Sequence, residues 1–227
     1  MTRATVALLT DDLTGEYEKL LSENGYECLT YSPYQFSPIE SNVKDFTGKV
    51  VFTSKRAVQY FPNISSLQNS LIFCMGSSAG SLLRKHGMKD ILGEHCKNAA
   101  ELASFIHENY FGTDNRINFC CGKDSLDVLP TFLRERGWTV SKTVLYSKNF
   151  ILSYDQIEAL CTSDVIVLFN PLIVDQLKNS LLSCQGLILA IGRTTADYAR
   201  KQGINIAGEM EEPKGISLIR LLDFIMN

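Results

Sequence analysis

No Cys-x-x-Cys pair occurs among the seven cysteines, and an odd count leaves at least one thiol over. The three histidines, His86, His95 and His107, show no zinc-type spacing with the cysteines. A disulfide framework is therefore not expected, and a reducing cytoplasm is the expected compartment. Long apolar runs are missing too. The first, Val6 to Leu9, is short and is followed by Asp11-Asp12, which does not fit a signal peptide. No run approaches membrane-spanning length. Positive charge is not in excess: the net charge is −3, which argues against general binding of nucleic acid or of a membrane surface. Sharp nucleotide motifs are absent as well. Gly122-Lys123 hints at a P-loop, but Ile117 stands where the first glycine is required. Leu8 to Asp12 hints at a phospho-acceptor domain, but the later strand ends in Thr53-Ser54 rather than aspartate. The segment starting at Gly76 makes no G-x-G-x-x-G fingerprint.

What is present is a spacing used twice. Ser54, Gly76 and Gly87 are separated by 22 and then 11 residues, and so are Asn170, Gly192 and Gly203. The segments Met75 to Gly87 and Ile191 to Gly203 match in chemistry, and each follows a short apolar run. Self-similarity at so long an offset points to two related domains rather than a solenoid.

Apolar runs and helical patterns alternate along the chain. Strands are expected at Thr5 to Leu9, Tyr26 to Tyr31, Lys49 to Phe52, Leu71 to Cys74, Ile117 to Cys120, Trp138 to Tyr146, Val165 to Phe169 and Leu187 to Ile191. Helices are expected at Glu16 to Asn24, from Arg56, and at Ser78 to His86, Asn98 to Tyr110 and Ser125 to Arg136. Further helices are expected around Gln156 to Leu160, and at Leu172 to Leu181, Thr195 to Gln202 and Ile216 to Met226. This alternation predicts an α/β protein of two similar domains, each a parallel sheet flanked by helices. The N-terminal βαβ piece is too small to fold alone. It supplies the unit that the third run lacks, just as the middle run carries its own at Ile117 to Trp138. One domain is expected at 1–33 plus 150–227, the other at 37–147, with linkers at 34–36 and 148–149 near Pro33 and Pro38.

In open parallel sheets ligands sit at the carboxyl ends of strands. Five such ends are small and polar: Thr53-Ser54, Gly76-Ser77-Ser78, Gly122-Lys123, Asn170-Pro171 and Gly192-Arg193-Thr194-Thr195. Each is expected to open a helix whose first N–H groups attract an anion, and the five are expected to share a cleft. Lys55, Arg56, Lys123 and Arg193 stand beside them and add charge. The plainer alternative is that Ser78 and Thr194 cap their helices. Asp11 and Asp12 read as first-turn acids more than as a catalytic pair. The Cys120-Cys121 pair reads as core, since no adjacent base is evident. Tyr146 ends a β run at a domain crossing, so it either presents its hydroxyl to a ligand or packs as an ordinary tyrosine.

In this order the residues resemble the uroporphyrinogen-III synthase family. The strand Phe52-Thr53-Ser54 with Ala57-Val58, the turn Met75 to Gly87, and Cys121-Gly122 with Leu129-Pro130 and Gly137 are similar to family patterns. So are Leu145-Tyr146, Ile191 to Ala196, and Pro213 to Leu218. Together they run along nearly the whole chain. Three positions depart: Ala79 replaces a threonine, Asn170 a serine, and Lys55 a proline.

The resemblance implies a two-domain lyase of tetrapyrrole (haem) biosynthesis that uses neither cofactor nor metal. Its substrate would be the linear tetrapyrrole hydroxymethylbilane, cyclised to uroporphyrinogen III with inversion of ring D. Tyr146 would assist departure of the hydroxyl as a general acid, and the five turns would hold substrate carboxylates. The expected partners are this small molecule and, transiently, the preceding pathway enzyme, with the chain itself a monomer. Two other readings stand beside it. One is a non-catalytic tetrapyrrole-binding or regulatory module, favoured by Ala79 and Asn170. The other is a two-domain binding protein of periplasmic type, which the lack of a signal peptide disfavours.

Overall fold

The computed structural model of the chain describes residues 3–10, 15–40, 48–112 and 114–226. Asp11 and Asp12 lie outside the described residues. In chain order the elements are β1 (Thr5–Leu9), α1 (Glu16–Glu23), β2 (Glu27–Tyr31), β3 (Tyr34–Pro38), β4 (Lys49–Phe52), α2 (Lys55–Gln59), β5 (Leu71–Cys74) and α3 (Ser77–Lys85). Then come β6 (Ile91–Leu92), α4 (Ala99–Tyr110), β7 (Arg116–Gly122), α5 (Val128–Arg134), β8 (Thr139–Phe150) and α6 (Tyr154–Cys161). The chain closes with β9 (Val165–Leu168), α7 (Pro171–Ser183), β10 (Leu187–Ala190), α8 (Arg193–Lys201), β11 (Gly208–Glu209) and α9 (Gly215–Met226).

Two compact units divide the chain: Met1–Gln35 with Asn149–Asn227, and Phe36–Lys148. The first unit holds the sheet β11-β10-β9-β1-β2, and the second the sheet β3-β8-β7-β4-β5-β6. The pairs β1–β2, β1–β9, β9–β10 and β10–β11 run parallel, as do β4–β5, β4–β7, β5–β6 and β7–β8. In the first unit β1 and β2 occupy the places that β7 and β8 hold in the second.

The residues expected as linkers, 34–36 and 148–149, are strand. Prolines remove one ladder donor but are tolerated at strand ends and on edge strands. Pro38 is the last residue of β3, and β3 is the outermost strand of its sheet order.

The repeated spacing has a structural meaning. In the second unit Lys49 pairs with Leu71 and Phe52 with Cys74. In the first, Val165 pairs with Leu187 and Leu168 with Ala190. The 22-residue offset is the strand-to-strand register of a βαβ crossover, kept in both units. The 11-residue offset is one helix with its stop. Gly87 and Gly203 adopt φ of 84° and 86°, and their amides bond to Arg84 and Arg200 carbonyls as α3 and α8 end. That left-handed conformation is what terminates the helices there.

Period-two alternation fills both faces of the second sheet. Val50, Phe52, Cys74 and Cys120 pack one way with Val58, Leu67 and Leu83. Val51, Phe73, Phe119 and Cys121 pack the other way with Leu102, Ile106 and Leu133. In the first unit Val6, Leu8, Val165, Val167 and Leu189 pack on Leu21, Leu218 and Leu222. Cys120 and Cys121 are thus core residues, and burial pushes both thiols up, away from nucleophilic character. One disulfide does form: Cys161, at the end of α6, joins Cys184, the cap of α7. Sequence alone left these cysteines unpaired, because only the packing of α6 on α7 brings residues 23 apart together. Among the described residues no helix is long and apolar enough to cross a membrane.

Candidate functional site

Four of the five expected turns do open helices, but they do so in two different ways. Ser54 and Asn170 spend their side chains as N-caps. Ala57 N–H donates to Ser54 Oγ at 3.0 Å, starting α2, and Ile173 N–H donates to Asn170 Oδ1 at 3.1 Å, starting α7. Pro171 follows Asn170 at the first position of α7, where its missing N–H removes nothing. At the other pair the N-caps are Gly76 and Gly192, with no side-chain cap. Ser78 and Thr194 therefore do not cap their helices, and both are exposed. The two glycines differ: Gly76 has φ 77°, whereas Gly192 is extended at φ 175° and tolerates any side chain on that count.

Burial sorts the hydroxyls further. Ser77, Ser78, Arg193 and Thr194 are exposed, whereas Thr53 is half-buried. Thr195 is only 4% exposed, and Ala79, its counterpart in the repeat, is fully buried. The exposed hydroxyls are thus Ser77 and Ser78 on the Gly76 turn and Thr194 on the Gly192 turn. Arg193 lies 3.6 Å from Asp197 one helical turn on.

Gly122-Lys123 is the exception, because no helix starts there. Ser125 N–H donates to the Gly122 carbonyl (3.2 Å) and Gly122 N–H donates to Ser125 Oγ (3.1 Å), closing a turn. Helix α5 begins only at Val128. Pro130 explains the delay: its ring would collide with the carbonyl of Leu126 if helix extended further back.

That turn serves a different purpose. The β7–β8 register shifts at Cys121/Gly122, bringing Gly122 opposite Tyr146. Bulges of this kind re-aim a side chain. Lys123 N–H then fixes the Tyr146 carbonyl at 2.8 Å. The Tyr146 ring lies directly against Gly122: a Cβ there would come within 2.7 Å of Tyr146 Cζ and 2.9 Å of its hydroxyl oxygen. On its other sides Tyr60 stacks with it (centroids 5.6 Å, 28° between planes), and Phe36 packs at 6.0 Å. Tyr60 is held in turn by donating to the Phe36 carbonyl at 3.1 Å, and the Arg56 guanidinium sits 3.8 Å over the Phe36 ring. The Tyr146 hydroxyl oxygen is 3.2 Å from Ser54 Oγ. A half-buried phenol, clamped by two aromatic rings and one hydroxyl, is equipped to give a proton in a fixed direction.

Of the expected site residues, the structure brings together Ser54, Gly122 and Tyr146. Sequence reasoning missed Tyr60 and Phe36. Tyr60 carried a weak signal as the cap residue just after the short helix that Ser54 starts, whereas Phe36 carried none, since it lay in the segment read as linker. Among the described residues, no cluster of three or more His, Cys, Asp or Glu could hold a metal ion.

Parallel sheets in two similar units, with small polar turns at their strand ends and a clamped phenol on β8 of the second, define a two-domain α/β protein. The family model described as uroporphyrinogen-III synthase HemD matches residues 15–220. The chain belongs to the uroporphyrinogen-III synthase family. Its fold is similar to the uroporphyrinogen-III synthetase of Helicobacter pylori 26695, with a TM-score of 0.71 at 17% identity, covering 97% of this chain and 99% of that one. It is also similar to a mutant uroporphyrinogen III synthase from the extremely thermophilic bacterium Thermus thermophilus, with a TM-score of 0.62 at 17% identity over 97% and 99% of the two chains. No curated protein sequence matches it.

Proposed function

We propose that this chain cyclises hydroxymethylbilane to uroporphyrinogen III, inverting ring D. The observation that carries the proposal is the Tyr146 hydroxyl, 3.2 Å from Ser54 Oγ on a strand-end turn. In this reading Tyr146 gives its proton to the departing hydroxyl. The carbon–oxygen bond breaks, water leaves, and the pyrrole nitrogen lone pair stabilises the azafulvene-type electrophile. The substituted carbon of ring D attacks that electrophile, and rearrangement through a spiro intermediate inverts the ring. No net oxidation occurs, so the chemistry asks the protein for one proton and for geometry.

A substrate carboxylate suits the first-turn N–H groups of α3 and the exposed hydroxyls of Ser77 and Ser78, which lie in the same unit as Tyr146. The two residues that favour a non-catalytic module have structural roles of their own. Asn170 starts its helix as a serine would, and Ala79 is a core residue with no surface contact to lose.

The test couples the chain to porphobilinogen deaminase with porphobilinogen, then oxidises the products and separates isomers I and III. Predominant isomer III is the expected result, and isomer I alone overturns the proposal. Because positioning contributes to the rate, Tyr146→Phe should slow isomer III formation by about 10²-fold or more without abolishing it.

A further inference from the structure

Ser54 and Tyr146 meet across an intervening strand. In the sheet order β7 lies between β4, which leads to Ser54, and β8, which carries Tyr146. A side chain at the end of β7 would stand where the Tyr146 ring now lies, and the residue there is Gly122. The contact between the two hydroxyls thus depends on three elements agreeing. The serine end is fixed as well, because its oxygen is pinned by the Ala57 amide at 3.0 Å.

From this geometry we infer that Ser54 is a positioning residue for Tyr146, setting the direction of its O–H and stabilising, by a hydrogen bond, the charge left on its oxygen. This rests on the reading of Tyr146 as proton donor. A serine hydroxyl has one hydrogen and two acceptor sites. The Ala57 amide occupies one acceptor site, so the Ser54 hydrogen is free to point at the tyrosine oxygen. That leaves the Tyr146 hydrogen for the substrate. Amide, serine and phenol then form a chain in which each donation strengthens the next. When Tyr146 passes its proton to the departing hydroxyl, its O–H bond breaks and the electron pair stays on the phenol oxygen. The Ser54 hydroxyl hydrogen bonds to that oxygen more strongly once it is charged. Water departs with the proton, and the phenol is restored when a proton returns after ring closure.

The experiment is a double-mutant cycle in the coupled isomer assay. Glycine starts a helix nearly as well as serine, so Ser54→Gly removes the hydroxyl and keeps α2. Ser54→Gly should lower kcat for isomer III by about tenfold to a hundredfold with KM changed less than about threefold, and Ser54→Thr should restore most of the loss. With Tyr146→Phe already present, Ser54→Gly should cost nothing further. An equal loss in both backgrounds, or no loss in either, overturns the positioning role and leaves the Tyr146 reading standing. A Tyr146→Phe variant with wild-type kcat overturns that reading, and the positioning role falls with it.

Discussion

Gly122→Ala tests the architecture around Tyr146 at its tightest point. The added Cβ would stand 2.7 Å from Tyr146 Cζ, 2.8 Å from Cε2 and 2.9 Å from the hydroxyl oxygen. Carbon atoms settle at roughly 3.5–4.0 Å, so the ring must retreat by about 1 Å. It cannot do so freely, because Tyr60 stacks on it and Phe36 packs beside it. A shift of that size stretches the 3.2 Å contact with Ser54 beyond hydrogen-bonding range. The expected stability loss is about 1–3 kcal/mol, that of overpacking a filled site. Misplacement by about 1 Å costs on the order of 10²-fold in rate, so kcat for isomer III should fall by about that factor. Urea unfolding gives the first quantity, and the coupled isomer assay the second. A variant with native stability and native kcat would refute the account of Gly122 as the clearance for Tyr146. Lost stability with unchanged kcat would refute the link between that clearance and catalysis.

Three further outcomes are expected. Asn170→Ser should leave stability within about 0.5 kcal/mol of the parent, whereas Asn170→Ala should cost about 1 kcal/mol in urea unfolding, since only the first keeps the cap on α7. Gly203→Ala should cost about 1 kcal/mol with no change in kcat, because φ is 86° and no atom lies within 4 Å of the new Cβ, leaving backbone strain as the whole effect. Alkaline pH should destabilise the fold through buried thiols. Burial, aided by the Glu94 charge, pushes Cys74 up to about 12 from an ordinary value of 9.0. The folded state therefore holds the proton more tightly, so stability is unaffected below about pH 9 and declines between there and about pH 12. Denaturation free energy measured across that range should fall less steeply for Cys74→Ala.

Much of the fold was legible because its signals are local. The apolar runs of β4, β5, β9 and β10 and the glycine stops after α3 and α8 repeat at fixed offsets, and those offsets are the sheet register itself. Elements whose cause is tertiary were not legible. β6 and β11 are two residues each and exist only as partners of β5 and β10. β3 hides between prolines because its pairing comes from residues far along the chain, as in the Ile39 amide donating to the Leu145 carbonyl at 2.9 Å. The site divides in the same way. Ser54 and Gly122 could be picked out at strand ends, whereas Tyr146, expected to end its strand, lies inside β8, which runs on to Phe150; their mutual contact needs the bulge in β8 and the order of three strands. Thr195 looked equal to Thr194 in sequence, and only burial separates them.

The placement of β1 and β2 beside β9 bears on how the chain becomes folded as it is made. β1 precedes the second unit in the chain, yet its partner β9 begins at Val165, after the whole of that unit. Until then β1–α1–β2 is a fragment with an open sheet edge and no core to cover it. The second unit is contiguous, so it can complete itself while β9 is still unmade. Its folding sets β3 next to β8, so the chain leaves that unit beside the point where it entered. A separation of more than a hundred residues thereby shrinks to a short effective loop, which lowers the entropy cost of closing β1 onto β9. The order of the strands thus favours completion of the inserted unit before the unit it interrupts.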